Sequence, residues 1–176
     1  SLERLAARLG VSDAHFFGHV GGSYGNAILC NGGSIAARVR LDGGTRIGSH
    51  RIERGMLVVT GTSFQGAVAC THLDHVSEAE RVAQMRSVLD ALRSYDSVLL
   101  AADRNALRRD DYESDEWARL ERRNRDKGWV PPVDSSSKGG VLDELKNAGF
   151  VDLGRQHPAF TSTSHCGGVP CQRIDY

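Results

Sequence analysis

At 176 residues, with 40% hydrophobic and 25% charged residues, the chain has the size and composition of one globular domain spanning residues 1–176. These values argue against a disordered tail, a collagen-like repeat or a coiled coil. The strongest apolar run, at 97–102, is strand-sized and well short of the roughly 18 residues a membrane helix needs. Formal charge is zero, 22 basic residues against 22 acidic, so no overall basic excess advertises nucleic-acid binding.

Leu2, Leu5, Ala6 and Leu9 recur at helical spacing behind Ser1, a candidate N-cap, and Gly10 supplies a stop. Strands are predicted over 15–20 and 26–30, with Gly21, Gly22 and Ser23 as the turn between them. Over 35–41, Ile35, Ala37, Val39 and Leu41 alternate with Arg38 and Arg40, the pattern of a half-buried strand ended by Asp42-Gly43-Gly44. The runs 56–60 and 67–71, joined by 61–66, read as a hairpin. Ser77-Glu78-Ala79-Glu80 forms a capping box ahead of Val82, Met85, Leu89 and Leu92, which predicts a helix. A buried strand at 98–101 follows it directly. Residues 114–127 predict a highly charged helix, too polar all round to be more than a surface layer. Pro131, Pro132 and the serines at 135–137 mark a loop, then 141–148 reads as a helix stopped by Gly149. The segment 172–176 reads as the beginning of a strand. Antiparallel strands together with a strand–helix–strand unit predict a mixed α/β domain with helices covering sheets.

Four cysteines are too few and too scattered for a disulfide framework. Cys30 and Cys70 lie in apolar runs and read as buried thiols. His165, Cys166 and Cys171 admit either zinc or ordinary turn chemistry, since no second cysteine pair accompanies them. No charged-then-apolar leader opens the chain, and a cytoplasmic location is expected.

Polar residues gather where apolar strands end. The run 67–70 leads into Thr71-His72-Leu73-Asp74-His75, the run 98–101 into Ala102-Asp103-Arg104-Asn105, and the last segment contains Arg173-Ile174-Asp175-Tyr176. Histidine donates to a developing oxyanion, aspartate takes a proton from water and asparagine orients that water, so these are the materials of a phosphate-processing site. Taken singly, each also fits a satisfied structural histidine or an Asx turn.

The order of these segments resembles the endonuclease/exonuclease/phosphatase family, whose fold deoxyribonuclease I shares. Tyr24-Gly25-Asn26-Ala27-Ile28-Leu29 is similar to the family's G-N-A-I-L-S strand, and Thr71-His72-Leu73 to its T-H-L segment. Residues 99–106, with Asp103 and Asn105, resemble I-L-x-G-D-F-N-A, and Arg173-Ile174-Asp175-Tyr176 resembles R-I-D-Y. The resemblance implies a deoxyribonuclease I-like four-layer α/β/β/α sandwich, incomplete at its N- and C-terminal strands. It also implies a hydrolase that cleaves a phosphodiester or phosphomonoester by in-line water attack, with magnesium or manganese as cofactor. Asp103 would activate the water, Asn105 would hold it and the phosphate, His72 would bond the scissile phosphate, and Asp175 would orient a further histidine. Asn26 and His75 would lie near the substrate, and Asp103 and Asn105 would be the metal-side residues.

Two departures qualify these implications. The family's L-Q-E glutamate would precede Ser1 and its S-D-H segment would follow Tyr176, so the chain is expected to bind metal poorly and turn over slowly or not at all. Ala102 and Arg104 stand where the motif has Gly and Phe, placing a charge where an aromatic ring packs. Nucleic acid, phospholipid and inositol phosphate all remain admissible substrates, with Arg38, Arg40, Arg108 and Arg109 as candidates for a local basic groove. The alternative reading is a catalytically impaired family member or fragment that acts as a binding module.

Overall fold

The computed structural model describes residues 1–126, 128 and 130–155. Helix α1 (Leu2–Leu9) is capped as expected: the Ser1 hydroxyl accepts from the Arg4 N–H, and Gly10 takes the left-handed conformation past the last turn. It lies against β1 (Asp13–Val20), which pairs antiparallel with β2 (Tyr24–Cys30) through the turn at 21–23. The register slips between Gly18 and Val20, so His19 sits in a bulge, a device that re-aims a side chain.

The main sheet runs β3 (Ser34–Arg40), β6 (Gly55–Thr60), β7 (Ala67–His72), β8 (Val98–Asp103) in spatial order. Between β3 and β6 stands a small hairpin, β4 (Arg46–Ile47) and β5 (His50–Arg51), too short for periodicity to reveal. β6 and β7 form the predicted antiparallel hairpin. Helix α2 (Glu78–Leu92) then returns the chain, so β8 lies parallel to β7. The chain is thus mixed α/β, with four helices among the described residues.

Alternation along β6 builds two layers of core from one strand. Met56 and Val58 face the helices and pack with Met85, Val88 and Leu92 of α2 and Val141, Leu142 and Leu145 of α4 (Val141–Asn147). Leu57 and Val59 face the other way, onto Ile28 and Phe17 of the β1–β2 pair. β6 is therefore buried on both faces, which is why Met56–Val59 reads as an unbroken apolar run.

Three local expectations need correction. Cys30 and Cys70 border the inter-sheet core but are only half-buried. The Ser77 hydroxyl does accept from the Glu80 N–H, yet Glu80 reaches the Gly44 N–H instead of closing the box, and the Ser77 N–H bonds Asp74. Helix α3 (Ser114–Asp126) is more than a surface layer. Its Trp117 and Leu120 are buried with Leu107 and Tyr112, and Arg109 lies over the Trp117 ring at 5.4 Å. Two apolar residues suffice because this satellite cluster is small.

Candidate functional site

The parallel pairing of β7 with β8 puts their C-terminal residues side by side, and the last register pair is His72 with Asp103. In a strand, alternate residues share a face, so both side chains point to the side occupied by Val68 and Cys70. The His72 Nε2 lies 3.4 Å from Asp103 Oδ2. On the ring's other side, the Tyr24 hydroxyl lies 3.0 Å from Nδ1. Burial, reinforced by the charge of Arg54 and by His19 and His75, holds the His72 imidazole down to about 4, so it is neutral at physiological pH. Its contact with Asp103 is accordingly not an ion pair there, because a neutral ring carries a single N–H.

Two residues beyond β8, the chain turns through Asn105, the one non-glycine with positive φ (48°) among the described residues. Asparagine tolerates this conformation better than most side chains. Its N–H donates to Asp103 Oδ1 at 3.0 Å and its Nδ2 donates to the Leu73 carbonyl at 3.1 Å, tying the two strand exits together. Backbone strain thus falls beside the aspartate, where strained residues tend to cluster at functional sites. Arg104, between them, is buried.

Asn26 arrives from the other sheet. Its Nδ2 donates to the Gly55 carbonyl at 2.6 Å, and the Thr71 hydroxyl donates to the same oxygen at 3.0 Å. Asn26 is buried, so it ties β2 to the strand ends rather than standing open to a ligand. His75 is exposed, its Nδ1 3.2 Å from Arg54 Nη2. The structure therefore links Tyr24, His72, Asp103 and Asn105 into one chain of contacts, with Asn26 beneath them and His75 to one side. Asp175, like Cys166, Cys171 and His165, lies outside the described residues.

Sequence reasoning passed over Tyr24, Arg54 and His19. Tyr24 opens the segment that carries Asn26, and its position at the start of a strand was the available signal. Arg54 and His19 left none, since what marks them is burial inside the fold: 5% and 0% exposed. Of the arginines offered for a basic groove, Arg40 pairs with Glu53, and Arg109 is held by the Tyr112 carbonyl and the Ser114 hydroxyl.

A magnesium or manganese ion meets an incomplete ligand set here. Asp103 and Asn105 supply one carboxylate and one amide, and no group of three His, Cys, Asp or Glu side chains converges to hold a metal among the described residues. The described residues do not fit the ion. Helix length gives one further bound: no helix among the described residues is long and apolar enough to cross a membrane. In comparisons with known proteins, no family model, no curated protein and no solved structure matches the chain.

Proposed function

We propose that the chain is a phosphoesterase domain of the endonuclease/exonuclease/phosphatase type, hydrolysing a phosphodiester or phosphomonoester by in-line attack of water. The single observation that carries this reading is the His72–Asp103 pair. A neutral imidazole and a carboxylate stand 3.4 Å apart at the ends of parallel strands, with Tyr24 behind the ring and Asn105 beside the acid. The likeness of the four sequence segments to that family supports it, as does a two-sheet core flanked by helices, which agrees with a four-layer sandwich.

The chemistry follows from the donors and acceptors. When the Tyr24 O–H donates to His72 Nδ1, the ring's one proton resides on Nε2, facing the site. That N–H stabilises the non-bridging oxygen on which charge grows as phosphorus becomes five-coordinate. Asp103 takes a proton from the attacking water, the new O–P bond forms, and the opposite P–O bond breaks to release the leaving oxygen.

The incomplete ligand set favours a second reading, a domain that binds phosphoryl groups without turning them over. Hydrolysis of a chromogenic diester and monoester at neutral pH, with and without magnesium, decides between them. The phosphoesterase reading expects Asp103→Asn and His72→Gln each to lower kcat by about 10²- to 10⁴-fold. Wild-type protein that binds phosphate yet shows no turnover in any arm leaves the binding module standing.

A further inference from the structure

We propose that Arg54 grips the substrate's phosphoryl group, holding its non-bridging oxygens from a buried position beside His75 and His19; this inference rests on the phosphoesterase reading. Arg54 is 5% exposed, and no carboxylate pairs with it among the described residues. Among the described residues its guanidinium makes one hydrogen bond, to His75, and its Nε is buried with no partner. A guanidinium has donors only, so His75 must accept at Nδ1 and carry its own proton on Nε2, adding another donor at the surface.

His19 adds to the same imbalance. The bulge in β1 turns it inward, and the bare Cα of Gly55, next to Arg54, admits it; a Cβ there would sit 2.9 Å from the His19 Cβ. It is fully buried, and neither ring nitrogen reaches a partner in hydrogen-bond geometry, although the Glu53 backbone lies near enough to favour the charged ring. Its ring centroid is 6.0 Å from that of Tyr24, whose hydroxyl holds His72. Arg54 lies within electrostatic reach of both His19 and His72.

The cluster therefore brings N–H donors from Arg54, His75, His19 and His72 into one neighbourhood, where His72 contacts Asp103 and His19 feels the Glu53 carboxylate, and neither acid pairs with Arg54 among the described residues. Burying a guanidinium without a counter-charge is costly, and a ligand that brings the counter-charge resolves the cost. The planar fork of arginine matches two oxygens of a phosphate, which a neutral or cationic ligand does not offer. A compact phosphoryl group meets both demands.

The test is thermal unfolding of the whole chain in inorganic phosphate against chloride at matched ionic strength, for wild type, Arg54→Gln, Arg54→Lys and the exposed control Arg8→Gln. Phosphate should raise the Tm of wild type and of Arg8→Gln, since a ligand bound only by the native state stabilises it. Arg54→Gln should lose the rise, with phosphate affinity down at least about tenfold, and Arg54→Lys should keep only part of it. Should Arg54→Gln not fold, Arg54→Lys decides: a reduced rise supports the proposal. A wild type indifferent to phosphate overturns it, as does a full rise in Arg54→Gln or, where that variant does not fold, in Arg54→Lys. The underlying reading fails separately, when Asp103→Asn and His72→Gln leave hydrolysis untouched while phosphate still protects through Arg54.

Discussion

Asp74 and Asp103 stand just past or at the C-terminal ends of neighbouring parallel strands, and their surroundings are opposite. Asp74 is sealed from water. Its carboxylate accepts from the Thr45 N–H and hydroxyl and from the N–H groups of Val76 and Ser77, all at 2.8–2.9 Å. Its own N–H donates to Gln84 Oε1, and its carbonyl accepts from Arg81. Burial pushes its acidity the wrong way, yet the donors from Ser77, Thr45 and Val76 override it and hold the carboxyl below its ordinary value. Asp103 keeps 28% of its side chain exposed and faces a neutral imidazole. Both are acids at strand exits, so residue type and position do not separate them. What separates them is enclosure: the knot around Asp74 fastens the loop at Thr45, the end of β7 and the start of α2, whereas water reaches part of the Asp103 side chain.

The largest expected effect breaks the knot. Asp74→Ala strands four donors, two of them on the backbone before α2, and should destabilise the chain by about 3–5 kcal/mol. Asp103→Ala gives up at least the hydrogen bond from the Asn105 N–H and should cost less, about 1–2 kcal/mol, while removing the proposed hydrolysis. Urea unfolding of the two variants measures the contrast. Equal losses of stability would erase the distinction between a structural and a functional aspartate.

Acid should separate the two loops next. The unfolded His72 ring titrates near its ordinary 6.5, the folded one at about 4, so between these values the unfolded chain binds the proton first. Stability is therefore complete above pH 6.5 and falls on acidification towards pH 4. His72 accounts for up to about 2–3 kcal/mol of that fall, after allowing for the part of its side chain that water reaches. Burial lowers His19 in the same direction, so it adds to the same window. The Asp74 contribution persists until the pH drops below the ordinary aspartate value of 3.8, and only then is lost. Denaturation followed across pH 3–8 should show His72→Gln flattening the upper part of the curve and leaving the lower part alone. A variant as acid-sensitive as wild type between pH 6.5 and 4 would contradict this assignment.

Much of the framework was legible because the chain is periodic where the core is. The unbroken run Met56–Val59 reported a strand covered on both faces, and Met85 and Leu92 reported the stripe of α2. The His72–Asp103 pair was legible as two polar ends of two apolar strands joined through a helix, an order that makes the strands parallel. Less visible was everything set by an exception to periodicity. Arg81 and Gln84 occupy the buried stripe of α2 because they hold the Asp74 loop, and nothing in their own spacing says so. His19 enters the core through a one-residue bulge, and Arg54 lies buried in a segment without a repeat. The charged letters of α3 outnumbered Trp117 and Leu120, although only those two decide which side is buried.

Asn105 sharpens the contrast at a smaller scale, since it carries both a strained backbone and a tie to Leu73. Asn105→Ala should cost about 2 kcal/mol, from positive φ on a Cβ-bearing residue without the amide and from the lost hydrogen bond. Asn105→Gly keeps the conformation at little strain and should cost about 1 kcal/mol or less. Thermal unfolding ranks the two variants. If alanine is tolerated as well as glycine, the left-handed turn is not what holds Asp103 in place.

The smallest effect on stability should come from Tyr24, and it tests the site most directly. Tyr24 is 50% exposed, so Tyr24→Phe forfeits one hydrogen bond already in competition with water, worth under about 1 kcal/mol. When its hydroxyl donates to His72 Nδ1, however, it fixes which nitrogen bears the proton, because an imidazole accepting at Nδ1 must donate from Nε2. Nitrogen-15 NMR of the His72 ring should show the Nε2–H tautomer in wild type and a mixture in Tyr24→Phe, with kcat lowered by roughly tenfold and KM little changed. A purely packing role for the hydroxyl would leave both the tautomer and kcat as they were. The two sites then differ in kind: around Asp74 each hydrogen bond holds the fold, whereas the contact between Tyr24 and His72 costs little to lose and, in the proposed hydrolysis, sets which ring nitrogen offers a proton.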